Sequence, residues 1–111
     1  MSVAISFSDD PRETWIIQNV LFARFADSFA AQFSDDPKLV EHIRLAEATN
    51  GVAIDLLDHS TANHFQNALR AVAEKVSDGK LTLTSAADSI DSDSVRSAFA
   101  NLVELIDRHT H

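Results

Sequence analysis

Five histidines are the first places to look for chemistry in this 111-residue chain, because imidazole is the usual general base and a common metal ligand. Asp55 and His59 stand four residues apart, as do His59 and Asn63, so a helix aligns the three on one side. His64 falls roughly 140° round from His59 on an unbroken helix. A mononuclear zinc site needs three or four converging ligands, and this run supplies two. Helical di-iron bundles use paired Glu-x-x-His motifs; here His42 follows Glu41 directly, the wrong spacing. The metal-enzyme reading through Asp55, His59 and His64 is therefore set aside. Asp55 and His59 are expected to be a solvated pair near a helix end, and His109 and His111 an exposed tail. No metal and no cofactor are expected.

The remaining reactive side chains are accounted for locally. The stretch Glu74 to Ser85 carries Gly79 and Leu81 where a calcium-binding EF-hand loop has its glycine and apolar residue. Its first position is Glu74, its third Val76 and its twelfth Ser85, so too few oxygens remain to hold calcium. Asp88, Asp91 and Asp93 read as a loop with cap residues. Gly-x-Ser-x-Gly is absent, and two glycines in the whole chain cannot build a phosphate-cradling loop. Ser85, Ser89, Ser92, Ser94 and Ser97 crowd one region with no evident base and read as turn and capping residues. The carboxylate pairs Asp9-Asp10 and Asp35-Asp36 each precede a proline, which is helix-start chemistry. A non-catalytic role is the expectation.

Low glycine and proline content favours helices over turn-rich sheets as the elements that hold these side chains. The sequence predicts an all-α bundle, a single helical domain over residues 1–111, with residues 1–9 as an extended N-terminal arm. Four helices are expected, over about 11–33, 37–58, 61–77 and 93–109. Asp10-Pro11 and Asp36-Pro37 start the first two, within a repeated Phe-Ser-Asp-Asp-Pro read as punctuation, not as a structural repeat. Asn50-Gly51 falls inside the second; Leu39, Ile43, Ala46, Ala53 and Leu57 stay on one face if that helix runs through, so a continuous, kinked helix is preferred. Asp58, Ser60 and Thr61 cap the third, and Asp78-Gly79 ends it. A short helical turn over 85–90 precedes the fourth. Segments 3–7 and 81–84 alternate like strands and admit a two-stranded ribbon, but both are short, and an arm and a loop are preferred.

Helical projection then exposes an excess of apolar surface. In the first helix Trp15, Phe22, Phe25, Phe29 and Phe33 share an arc, while Ile16 and Val20 lie nearly opposite. A helix apolar on all sides is buried on all sides. In the second, Leu45, Ala48, Val52 and Leu56 make a second stripe. Such surface has to be covered by the monomer itself, by another copy, or by a ligand. A homodimer through the first helix or this second stripe is expected, twofold dimers being the commonest oligomers.

Charge narrows the partner. Seventeen acidic residues against nine basic ones leave a formal charge of −8, with the basic residues scattered singly. Nucleic acid and anionic membrane surfaces are disfavoured. The expected function is an acidic, non-catalytic protein-interaction module that also engages a basic protein, with Glu41, Glu47, Asp55 and Asp58 on its acidic side. The alternative is a small apolar-ligand or sensory bundle whose pocket is lined by Phe22, Phe25 and Phe29 along the first helix. In size and charge alone the chain is similar to small acidic helical adaptors, inhibitors and immunity proteins, with no shared motif. The absence of cysteine and of a leader-like N-terminus gives the expectation of a cytoplasmic protein.

Overall fold

Thr14-Trp15-Ile16-Ile17-Gln18 is where helical periodicity gives way. Trp15 and Ile17 are buried while Ile16 and Gln18 are exposed, the period-two pattern of a half-buried strand built from β-branched and aromatic residues. The computed structural model, which describes residues 2–84 and 90–109, runs β1 (Ser2–Ser6), a 3-10 turn (Pro11–Glu13), β2 (Thr14–Gln18), α1 (Asn19–Gln32), α2 (Pro37–Thr49), β3 (Gly51–Ala53), a second 3-10 turn (Ile54–Leu56), α3 (His59–Ser77) and α4 (Ser92–His109). The strands form one sheet in the order β2-β1-β3, with β1 antiparallel to β2 and parallel to β3. The fold is thus α+β, and the all-α expectation is corrected.

Each departure has a local cause. The N-terminal segment is no arm: β1 is the middle strand, because Val3 and Ile5 need burial that a free arm cannot provide. The first helix begins at Asn19 rather than Pro11. Asp10 does cap a helical turn, accepting from the Arg12 N–H at 2.9 Å, but only a 3-10 turn follows before β2. The second helix stops at Thr49 instead of reaching Asp58. Asn50 takes the left-handed conformation (φ 61°, ψ 26°) that a helix C-cap favours. Gly51 then passes so close to β1 that a Cβ there would collide with the Ala4 carbonyl oxygen. The Ala4 N–H donates to the Asn50 carbonyl at 3.1 Å, which starts the parallel pairing. Segment 81–84 does not join the sheet, so the suggested ribbon is also corrected; Leu83 is buried and its carbonyl accepts from Arg24 at 2.8 Å. The helical turn expected over 85–90 falls almost wholly outside the described residues.

The third and fourth helices stand close to expectation, at His59–Ser77 and Ser92–His109. Asp58 caps α3 by accepting from the Thr61 N–H, and Gly79 (φ 78°) turns the chain out of it. α1 and α4 pack against the sheet, whose buried face bears Val3, Ile5, Trp15 and Ile17, α2 lies beside β3, and α3 packs on the other helices. Phe22, Phe25, Phe29, Phe65 and Phe99 close the core between them.

The accessible surface, 6205 Å², is close to the ~6,100 Å² of an ordinary folded monomer of this mass. The aromatic arc of Trp15, Phe22, Phe25 and Phe29 is buried within one chain. The surplus positions opposite it and on the second stripe, Ile16, Val20, Leu45, Ala48 and Leu56, remain exposed, so the expectation of a first helix buried on all sides is corrected. Among the described residues four large apolar side chains stay outside: Ile16, Val20, Leu45 and Leu56.

Candidate interaction groove

Leu45 and Leu56 were expected to share one stripe of a long helix, yet they sit on different elements that face each other. The left-handed Asn50 stops α2 and reverses the chain, so that β3 and the following 3-10 turn run back beside the last turns of the helix. The Thr49 hydroxyl braces the reversal, within hydrogen-bond distance of the carbonyls of Leu45 (2.8 Å) and Gly51 (3.0 Å). Burial of Ile54 roots the 3-10 turn in the core and leaves the neighbouring Leu56 pointing outward.

The result is an open groove of about 320 Å³, walled on one side by His42, Leu45, Ala46 and Thr49 and on the other by Val52, Ala53, Leu56 and Leu57. Positions 42, 45, 46 and 49 are one face of α2, at the helical spacing that makes a continuous wall. Leu56 is 81% exposed and Leu45 58%, so the groove offers two uncovered apolar anchors. An imidazole and a hydroxyl are the polar groups in its walls.

Exposed carboxylates occur on both elements that wall it. Glu41 is exposed one helical turn before Leu45, and Asp55 is exposed beside Leu56. Asp58, exposed two residues beyond, is held below the ordinary carboxylate range by the Thr61 hydroxyl and then by the Thr61 N–H, so it is charged at neutral pH. Glu47 is engaged elsewhere: with Asp27 of α1 it grips Arg44, at 3.0 and 2.9 Å. Glu41 is thus exposed on the α2 side, Asp55 and Asp58 are exposed on the side of the reversed segment, and Glu47 is turned toward a surface ion-pair network.

The three phenylalanines lie apart from this surface. Phe22, Phe25 and Phe29 have no exposed area. Phe25 packs on Phe99 with ring centroids 4.9 Å apart, and Phe29 lies 5.0 Å from Phe33 and 6.0 Å from Phe65. Their place is the centre of the core.

The histidines are equally dispersed. His59 meets Asn63 at 3.2 Å on α3, with Asp55 on the preceding 3-10 turn. His64 contacts the Asp36 carboxylate at 2.7 Å and is the main reason that carboxyl lies below its usual range. His109, expected in an exposed tail, is half-buried, stacked on Phe7 and 3.1 Å from Glu13. Among the described residues no three His, Asp or Glu side chains converge as metal ligands would.

Sequence reasoning had named Leu45, Val52 and Leu56 but not their opposition, nor the places of His42 and Thr49. The signal available was the Asn-Gly pair, whose left-handed preference cuts the stripe in two. Comparison with protein-family models, curated proteins and solved structures finds no match for the chain. No helix among the described residues is long and apolar enough to cross a membrane.

Proposed function

We propose that the chain is an acidic protein-interaction module that receives a basic, amphipathic helical segment of another protein in the groove between α2 and residues 51–57. The observation that carries this reading is the opposition of two uncovered leucines, Leu45 and Leu56, across the groove. Leu45 and Leu56 supply apolar anchors, and the exposed carboxylates Glu41 on α2 and Asp55 and Asp58 on the opposite segment are available to lysines or arginines beside a partner's apolar stripe. Helix-in-groove recognition uses anchors at i, i+3 or i+4, and i+7, which suits a trough bounded by one helix and a short reversed segment. The chain's −8 charge steers such a partner in, and rising salt weakens the encounter.

The test uses a synthetic helical peptide with leucines on one face and lysines on the flanks, titrated by fluorescence anisotropy. The expected result is saturable binding that weakens with salt and falls at least tenfold in Leu56→Asp and in the pair Glu41→Lys with Asp55→Lys. Equal binding to a peptide with the same composition in scrambled order, or no loss in Leu56→Asp, would contradict the reading.

A further inference from the structure

The sheet has a second feature, at its opposite edge. Along an antiparallel pair, backbone groups point alternately toward and away from the neighbouring strand. The Phe7 N–H donates to the Glu13 carbonyl at 2.9 Å, and the Ala4 N–H is turned away from β2 toward Asn50. With Ala4 opposite Ile16 and Ile5 opposite Trp15 in register, Trp15 and Ile17 direct their peptide groups to β1, and Thr14 and Ile16 direct theirs outward. Among the described residues no backbone partner meets the Ile16 peptide groups on that side.

Natural edge strands are guarded by lysine, proline, bulges or a covering element. Thr14–Gln18 has no charged residue and no proline, and Ile16 is 62% exposed, with Val20 just beyond at 46%. These are the two large exposed apolar residues that the groove does not use.

We infer that two copies of the chain pair through β2, antiparallel about a twofold axis at Ile16, and so join their sheets into one of six strands. The strand is complementary to itself in this register. Ile16 exchanges hydrogen bonds with Ile16 of the second copy, and the Thr14 hydroxyl comes opposite the Gln18 amide. A chain of charge −8 repels its own copy at most approaches, and this edge is one where no like charges meet. The outer face of the joined sheet stays uncharged: Ser2, Ala4, Ser6, Thr14, Ile16 and Gln18 share it. The contact is a single five-residue strand, well short of the ~800 Å² per partner of a standard stable interface, so the dimer is a concentration-dependent one. The inference is independent of the groove, which lies beyond β3 on the other side.

Sedimentation equilibrium of the full chain from micromolar to millimolar concentration tests it, together with amide hydrogen exchange at Ile16. The expected result is a mass rising from 12.2 kDa toward twice that value, with the Ile16 amide slowing at least tenfold as the dimer forms. Ile16→Lys, at an exposed position, should hold the chain monomeric with an unchanged fold by circular dichroism, while Leu56→Asp should leave the association unaltered. A mass that stays at one copy, or association that survives Ile16→Lys, overturns the proposal. So does a monomer whose Ile16 amide is protected only by an added strand peptide, since that outcome gives the edge to a different protein.

Discussion

The indole Nε1–H of Trp15 donates to the Ala98 carbonyl oxygen across 2.8 Å, tying β2 to α4. The same ring meets Phe99 edge-on at 5.2 Å. The contact holds Trp15 on the buried face of the sheet, against the aromatic cluster. Trp15→Phe keeps much of the packing and leaves the indole's bond unmade. A cost of about 1–3 kcal/mol is expected in urea unfolding; a change below 0.5 kcal/mol would show that the bond contributes nothing net.

Gly51 and Gly79 separate two reasons for a glycine. At Gly79 (φ 78°) the nearest atoms to a new Cβ are those of the Arg96 guanidinium at 3.6 Å, so Gly79→Ala meets only left-handed backbone strain, about 1–2 kcal/mol. At Gly51 the obstacle is the Ala4 carbonyl of the middle strand, which cannot move without breaking the parallel pairing. Gly51→Ala is expected to lower the thermal midpoint more than Gly79→Ala does, and a reversed order would remove β3 from the account.

The exposed leucines and a buried isoleucine of one region should behave oppositely. Leu45→Ser and Leu56→Ser are expected to change stability within about 0.5 kcal/mol, since neither side chain is packed. Ile43→Ala, at a fully buried position of the same helix, is expected to cost about 2–4 kcal/mol. Chemical denaturation of the three variants checks this. A large loss in the exposed pair would mean that the groove closes on itself in solution.

Capping and hydrophobic stripes made α3 and α4 legible from sequence, because Asp58, Asp78-Gly79 and the apolar positions from Phe65 to Val76 all agree. The sheet was obscured for physical reasons. Only five residues separate Glu13 from Asn19, too short a run for alternation to outweigh the helix-start signal of Asp10-Pro11. Pairing of β1 with β3 joins residues nearly fifty apart through three positions, and nothing local announces a contact of that range. The candidate site was partly legible: Leu45, Val52 and Leu56 were visible as surplus apolar positions, while of the expected acidic set Glu41, Glu47, Asp55 and Asp58, Glu47 is taken up by Arg44. The placement of the apolar positions around a groove follows from the left-handed Asn50. The pocket expected from Phe22, Phe25 and Phe29 is filled by the core itself, with Phe65 of α3 and Phe99 of α4 packed on the arc.

Acid should weaken the fold through specific carboxylates. Asp36 is lowered chiefly by His64, and Asp107 by Arg70, so each favours the folded state when ionised. A depressed folded value means that this stabilisation is complete above the unfolded value near 3.8 and is lost as pH falls below it toward the folded value. Asp36→Asn, which preserves an N-cap acceptor, is expected to make the fall of unfolding free energy below about pH 4 shallower. A parallel acid limb in wild type and variant would show that the Asp36 charge is not coupled to folding.

The groove is the centre of the functional account, and backbone chemical-shift mapping of isotope-labelled chain against the leucine–lysine peptide tests it most directly. The account requires the largest shifts at Leu45, Thr49, Val52 and Leu56, with smaller ones at Glu41, Asp55 and Asp58, and none at Ile16. Shifts spread evenly over the acidic surface, or centred on any other face, would contradict it.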